Sequence, residues 1–485
     1  MRHPLPLSAL LAATTLAGCT VGPDYKGPPA TASDAVQRGS FVRAADPSLR
    51  PAPGLARWWE TLGDATLTTL VDDALAHSPT IDQAQARLRE ARARLGSQRA
   101  NGQPNVSASA TYLRADLPGI DLGNDDAAGE EQGSGNDRTA LNFYNLGGTA
   151  SWEPDLFGGG RRGVEGARAT LEQRYADLAD AQVSLSAQVA QAYVSLRETQ
   201  ERARLNAQSS GLQRRQFALT GQRFEAGAAS SLDVERVRNQ LESTDAQTIP
   251  LRAQVDELLN QLAILTGRTP GALDGTLASA VAVPLPPAAV PIGDPAALVA
   301  HRPDIRAAER ALAASNAQVG VNTARLFPSL NFMGIFGLGG TSVGDVIDPG
   351  KLTTLVAPML SWSFLDFGRG RANVRQAEAQ RDLADAQYRQ TVLEALQDAE
   401  TSLSRFGNTR LQLAQLLRAE ESAQRAARLN GQRVAAGTSS VIDQLDVERQ
   451  RLSASISVAR AKAQLTNNYI AVQKSLGLSW TAPED

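Results

Sequence analysis

Ser151-Trp152-Glu153-Pro154-Asp155-Leu156-Phe157-Gly158-Gly159-Gly160-Arg161 returns later in the chain as Ser361-Trp362-Ser363-Phe364-Leu365-Asp366-Phe367-Gly368-Arg369-Gly370-Arg371. Six of the eleven positions are identical: Ser-Trp at the start and Phe-Gly-x-Gly-Arg at the end. Working outward, Gly221-Gln222-Arg223 recurs as Gly431-Gln432-Arg433, and Gly227, Ser230, Asp233 and Gly267 recur as Gly437, Ser440, Asp443 and Gly477, all at an offset of 210 residues. Upstream, Ala76-His77-x-Pro79-x-Ile81 returns as Ala300-His301-x-Pro303-x-Ile305 and Pro104 as Pro328, at an offset of 224. A fixed internal period is the signature of a duplicated structural unit. The 14 additional residues lie between Pro104 and Trp152, where Gly, Asn, Asp and Glu crowd residues 119–138 into a polar loop.

The chain therefore divides into a first repeat at 58–267, a linker at 268–293, a second repeat at 294–477 and a tail at 478–485. Pro270, Pro284, Pro286, Pro287 and Pro291 prevent the linker from being one helix. Residues 19–57, with Pro23, Pro28, Pro29, Pro47, Pro51 and Pro53, read as an extended tether.

Each repeat has one order: a helix ending before a proline, a strand, a loop, a second strand, a glycine turn and a long helical hairpin. Apolar and aromatic runs place the strands at Val106–Leu113 and Phe143–Trp152, then at Leu330–Leu338 and Leu355–Leu365. No proline interrupts the chain between Pro154 and Pro250 or between Pro358 and Pro483. Leu171, Leu178 and Leu185 fall at seven-residue steps, as do Val189 with Leu196 and Leu396 with Leu403, which is coiled-coil spacing. Gly227 and Gly437 are the natural breaks, and a helix from Arg162 to Ala226 would be about 100 Å long. With only 5% aromatic residues, the expected fold class is mainly α with a small β part and a thin core.

Residues 1–18 read as an export signal, with Arg2 and His3 before an apolar run from Leu5 to Leu16. The single cysteine, Cys19, excludes an internal disulfide, and Leu16-Ala17-Gly18-Cys19 resembles the bacterial lipobox, which implies acylation of Cys19. Thr20 stands where an aspartate would favour the inner membrane, so the outer membrane is the expected address. A formal net charge of -3 gives no footprint for nucleic acid. Three histidines, His3 among them in the signal, leave little for a nucleophile–base pair or metal cluster, so neither catalysis nor a cofactor nor a metal site is expected.

No run of 18 apolar residues can span a bilayer as a helix, so any crossing must use strands. Four strands per chain are too few to close a barrel, because the smallest bacterial barrels use eight. Closure then demands an oligomer, and three chains would supply twelve strands around one axis. The long helices would continue that barrel as a tube.

Cys19-Thr20-Val21-Gly22-Pro23-Asp24-Tyr25, Trp58-Trp59, Arg302-Pro303-Asp304-Ile305 with Ala308-Glu309, Phe327-Pro328-Ser329, and Ser361-Trp362 before Phe367-Gly368-Arg369-Gly370 resemble the outer-membrane factors of resistance-nodulation-division efflux systems. Together they look like the NodT branch of the TolC-like family, from the lipobox to about Gly477. The resemblance implies a homotrimer with a twelve-stranded barrel, a periplasmic helical tunnel, a passive channel, and two partners: a periplasmic adaptor and an inner-membrane pump. A type I protein secretion duct would share the fold. A pore-less coiled-coil scaffold anchored in outer-membrane lipid would account for the helices and Cys19 but not for the strand pairs.

The same resemblance assigns the helical tips, Arg223, Gly227, Ala228, Ser230 and Ser231 with Arg433, Gly437, Thr438, Ser439 and Ser440, to adaptor contact. It places the pore constriction at the acidic residues six and nine positions after the second tip glycine, which are Asp443 and Asp446. Ser440-x-x-Asp443 is also a capping box, as is Ser230-x-x-Asp233, whereas Asp446 has no capping role and is Arg236 in the first repeat. Ile442 fits either an apolar collar or packing within the hairpin. The family latch of an aromatic residue and an arginine is not matched, because Val434 and Ser439 occupy those positions.

Overall fold

The computed structural model describes residues 20–52, 54–118 and 138–477. The signal peptide at 1–18, Cys19, nearly all of the inserted loop and the tail at 478–485 lie outside the described residues. In chain order the elements are α1 (Ser33–Arg38), β1 (Leu49–Pro51), a 3-10 turn at Trp58–Leu62, α2 (Ala65–His77), α3 (Pro79–Ala100), β2 (Asn105–Pro118) and β3 (Arg138–Trp152). Then follow α4 (Gly159–Glu225), α5 (Ser231–Leu265), α6 (Asp274–Leu277), β4 (Val290–Ile292), α7 (Pro295–His301), α8 (Pro303–Ala324), β5 (Ser329–Gly340), β6 (Leu352–Ser361), α9 (Arg369–Ala435) and α10 (Val441–Ser475). The duplication is carried to the residue: α4 and α9 each run 67 residues and α5 and α10 each run 35, at the offset read from the sequence.

The chain forms two compact units. One contains Glu90–Leu171, Arg310–Asp385 and the segment up to Gly27, and its centre is a four-stranded antiparallel sheet in the order β2-β3-β5-β6. Asn105 lies opposite Ser151 and Ser329 opposite Ser361, so the two hairpins share one register. Trp152 opposite Phe332 and Leu146 opposite Leu338 join them.

Strand alternation sorts this sheet into two faces. One carries Val106, Ala110, Tyr112, Leu146, Trp152, Phe332, Phe336, Val356 and Leu360. The other carries Ser107, Ser109, Thr111, Asn145, Thr149, Ser151 and Asn331, with apolar residues among them such as Met333 and Leu355. Trp152 stacks on Phe332 at 5.9 Å and Tyr112 on Tyr144 at 4.9 Å. The indole of Trp152 donates to the Gly102 carbonyl and that of Trp362 to the Leu326 carbonyl, which pins both hairpins at repeat-related points.

The strand ends differ from the expectation. β2 and β3 are longer than Val106–Leu113 and Phe143–Trp152, because a ladder of backbone hydrogen bonds continues through polar residues that periodicity excludes. β6 begins at Leu352 and stops at Ser361 rather than running to Leu365. Beyond it Trp362 is held by Leu326 and meets Phe364 ring to ring at 5.8 Å, so these apolar residues serve an irregular segment.

The second unit takes in Pro28–Arg89, Glu172–Glu309 and the chain from Ala386 onward. Its core gathers Trp58, Trp59, Leu67, Leu262, Phe406 and Tyr469, all nearly solvent-free. The Trp58 ring meets Trp59 edge-on at 5.7 Å, and the Tyr469 hydroxyl lies 2.7 Å from that of Thr61. Asp64 caps α2 with one carboxylate oxygen and accepts from the Tyr193 hydroxyl with the other, at 2.7 Å.

The tether and the linker carry elements that the sequence reading did not place. β1 from the tether and β4 from the linker form a parallel pair, with Leu49 opposite Val290. The tether is also docked: the Glu400 carboxylate accepts from the backbone N–H groups of Val42 and Arg43 at 2.8 Å each, Asp46 pairs with Arg410, and Phe41 and Leu49 are buried. Prolines limit the helices of both segments to the short α1 and α6, and a three-residue strand needs only a few free backbone groups facing one another.

Candidate functional site at the helical tips

At the end of α4 the chain turns at Gly227, whose φ of +73° is accessible to glycine at low cost. The Ala228 N–H donates to the Arg223 carbonyl at 2.7 Å and the Gly227 N–H to Phe224 at 2.9 Å, so the last carbonyls are satisfied as a helix end requires. Ser230 then opens α5 through a complete capping box with Asp233. The second tip repeats this bond for bond: Gly437 at +72°, Thr438 N–H to Arg433, and Ser440 with Asp443. Arg223 and Arg433 each reach forward to a turn carbonyl, Ala228 and Thr438 respectively.

The two tips enclose a cleft of about 420 Å³, lined by Leu219, Arg223, Ala228, Ser440, Val441 and Ile442 among others. Half of those named were expected at the tips for other reasons, and the fold brings them together. Gly227, Ala228, Ser230, Ser231, Gly437, Thr438 and Ser440 are exposed, and Ser439 is half-buried. Ile442 is half-buried at the cleft wall, and its neighbour Leu445 is buried.

The acidic residues occupy different environments. The Asp443 carboxylate accepts from the Ser440 hydroxyl at 2.7 Å and from its backbone N–H at 3.3 Å. Those two hydrogen bonds, helped by Arg433 and Arg223, hold Asp443 below the ordinary carboxylate range. Asp446 accepts from Arg449 at 2.7 Å and Gln450 at 3.0 Å on its own helix, leaving its tip reversal to other groups.

One feature of the second tip was not legible from the sequence. The Ser439 hydroxyl donates to Asn430, the Asn430 amide donates to Gln444, and the Gln444 amide donates to the Ala427 carbonyl. In the first repeat the matching residues are Thr220, Ala229 and Val234, which cannot form this chain of amides. A comparison of the repeats position by position would have flagged the asymmetry.

His77 and His301 close α2 and α7, and His77 Nδ1 lies 3.1 Å from the Asp73 carbonyl. Among the described residues no group of three or more His, Cys, Asp or Glu is disposed to hold a metal, and no helix is long and apolar enough to cross a membrane.

Residues 70–268 and 295–478 match the family model described as outer membrane efflux protein. The chain is 29% identical to Nodulation protein T of Rhizobium leguminosarum bv. trifolii, covering 98% of this chain and 97% of that protein. It is 30% identical to the outer membrane protein OprJ of Pseudomonas aeruginosa, covering 99% and 97%. Among solved structures, the outer-membrane channel OprN superposes with a TM-score of 0.83 at 35% identity, covering 95% of this chain and 99% of that one. The NodT-like and TolC-like resemblance of the motifs is thereby met. The chain belongs to the outer membrane efflux protein family.

Proposed function

We propose that this protein is the outer-membrane duct of a tripartite, resistance-nodulation-division-type efflux pump, a lipid-anchored homotrimer that passes drugs or other small molecules outward. The observation that carries the reading is the four-stranded sheet with one apolar, aromatic face and two edges that have no further strand among the described residues. Unsatisfied backbone groups exposed to lipid cost on the order of several kcal/mol each, so such a sheet needs partners on both edges. Three copies supply twelve strands with the apolar face toward lipid and the Ser- and Thr-rich face toward the pore. Energy comes from the inner-membrane pump, and the duct itself is passive.

The tips are the adaptor surface in this reading, with Arg223, Gly227, Ala228, Ser230 and Ser231 in one and Arg433, Gly437, Thr438, Ser439 and Ser440 in the other. Asp446, with Asp443 and Ile442 beside it, forms the constriction. Lipidation at Cys19 rests on the Leu16-Ala17-Gly18-Cys19 motif; the residue after it is seated at the junction of strand and long helix, where an added Cβ on Gly158 would come within 2.7 Å of Thr20.

A Ser440→Cys variant tests this, because acylation leaves the new thiol as the sole free one. Photocrosslinking from it in cells should capture a periplasmic adaptor that co-purifies with a proton-driven pump. Capture of an adaptor bound to an ATP-driven exporter would move the reading to protein secretion, and absence of any adaptor would remove the tip assignment.

A further inference from the structure

Near their tips the two hairpins are closed by different chemistry at matching positions. In the first, the Arg238 guanidinium lies over the Phe217 ring at 5.5 Å, and the Thr220 hydroxyl donates back to the Gln216 carbonyl of its own helix. The 210-residue offset carries Phe217, Thr220, Ala229, Val234 and Arg238 to Ala427, Asn430, Ser439, Gln444 and Glu448. Here the bonds cross from helix to helix. The Ser439 hydroxyl donates to Asn430 Oδ1 at 2.9 Å, and Asn430 Nδ2 donates to Gln444 Oε1 at 2.9 Å. Gln444 Nε2 donates to the Ala427 carbonyl at 3.2 Å and to the Glu448 carboxylate at 3.3 Å. Arg451 ends the relay by donating to Glu448 at 2.6 Å.

We propose that Asn430 and Gln444 are positioning residues of the duct: they fix how far α10 lies along α9, and thereby hold Ile442 and Asp446 at the constriction. This rests on the constriction reading above and adds to it the device that sets the bore.

Magnitudes favour amides for that task. A hydrogen bond keeps its strength over about 0.5 Å of donor–acceptor distance, whereas a slide of one residue moves a helix by about 1.5 Å. The relay therefore breaks before α10 has moved by one residue. Apolar contact is non-directional, so the seam around Phe217 and Val234 survives such a slide.

The placement of the relay on α10 is a second observation. Ile442 and Asp446 are four residues apart and share one face of the helix. Gln444 lies two positions from each, roughly 200° around the axis, and its bonds to Asn430 and Ala427 show that its side faces α9. It grips the helix from behind. Replacing it removes no group from the row that carries Asp446.

The test uses the full-length lipoprotein in planar bilayers, read as single-channel conductance and as block by magnesium. Gln444→Val and Asn430→Thr install the residues that the first hairpin carries at these places. Each should multiply the share of time spent at a high-conductance level roughly fivefold, the weight of one ordinary hydrogen bond, and should weaken magnesium block. The double variant should do no more than either alone, because the two amides act as one unit. Ser439→Ala breaks only the outermost bond; it should give a smaller rise, and it carries the test if an amide variant does not assemble. A lower melting temperature with conductance and block unchanged would mean that the relay only packs the hairpin, and overturns the proposal, as does a double variant whose effect is the sum of the two. If Asp446→Ala raises conductance and the relay variants do not, the positioning role alone fails. If Asp446→Ala leaves conductance unchanged, the constriction reading fails and takes this proposal with it.

Discussion

Arg162, at the start of α4, donates to Asp24 at 2.5 Å across 138 positions of sequence. The same guanidinium reaches the carbonyls of Val21 and Gly22 and the carboxylate of Glu165, while its own side chain is only 5% exposed. Asn316 adds a bond to the Pro23 carbonyl, and Gly22 lies so close to Gly320 that a Cβ would fall 2.5 Å from its Cα. The segment that follows Cys19 is therefore strapped down at its first five described residues.

Arg162→Ala should release the strap. Hydrogen bonds to a charged group contribute about 1.5–3 kcal/mol, and the exposure of Asp24 places this case at the low end. Tryptic cleavage after Lys26 should speed up by roughly tenfold, the equivalent of about 1.4 kcal/mol in the open population. Arg162→Lys should restore little, because one ammonium cannot serve four acceptors in a plane. An unchanged cleavage rate would show that Asn316 and the glycine contact suffice.

The glycines of the sheet rank in a definite order. A Cβ on Gly147 would lie 2.0 Å from the Phe336 carbonyl and one on Gly337 2.6 Å from backbone atoms of Gly147, so neither can be relieved without moving a strand. A Cβ on Gly148 meets only the Phe336 ring, which can turn. Gly337→Ala should abolish the heat-modifiable form on gel electrophoresis, whereas Gly148→Ala should keep most of it. Equal behaviour of the two variants would contradict this packing.

Asp180 is largely buried, and burial together with the nearby Asp304 carboxylate raises its pKa, against the pull of Lys474 and Arg302. A carboxyl whose folded pKa is raised binds its proton more tightly in the native state, so its contribution is favourable at low pH and is lost as pH rises through the folded value. Asp180→Asn should therefore raise the Tm at pH 7, and the gain should vanish below pH 3.8, the unperturbed value. A loss of Tm at pH 7 would mean that the ionised group is held by a partner.

Asp443 has the opposite sign. Its pKa is lowered by the Ser440 hydrogen bonds, so its support of the α10 start is present above the ordinary carboxylate range and is lost as pH falls through its folded value. Ser440→Ala should cost about 1 kcal/mol, the usual value of an N-cap, seen as faster amide exchange confined to the first turn of α10. Exchange that spreads along the whole helix would be inconsistent with a local cap.

If Asp446 lines the constriction, three copies bring its carboxylates toward one axis, and Asp446→Ala should raise single-channel conductance and weaken block by divalent cations. Unchanged conductance in the Asp446 variant would sink the assignment.

Much of the fold was legible because glycine and proline carry backbone information directly. Gly227 and Gly437 marked the reversals, Pro104 and Pro328 the helix ends, and the repeat offset tied them together. The ends of β2, β3 and β6 were not legible, since a ladder is extended or ended by backbone pairing that side-chain periodicity does not record. The docking of residues 41–49 escaped for the same reason: Glu400 is held by two backbone N–H groups, which any residue supplies. At the tips the turns were readable, but the chain from Ser439 through Asn430 to Gln444 depends on how two helices face each other after the turn has formed.

Each tip is made entirely from within. A glycine, a serine, an aspartate and a few backbone carbonyls complete the reversal, and an arginine of the same tip adds a bond to a turn carbonyl. The outward positions are thus released from the task of folding and are free to drift by mutation. Substitutions there can accumulate one at a time, because none of them has to pass through a misfolded ancestor.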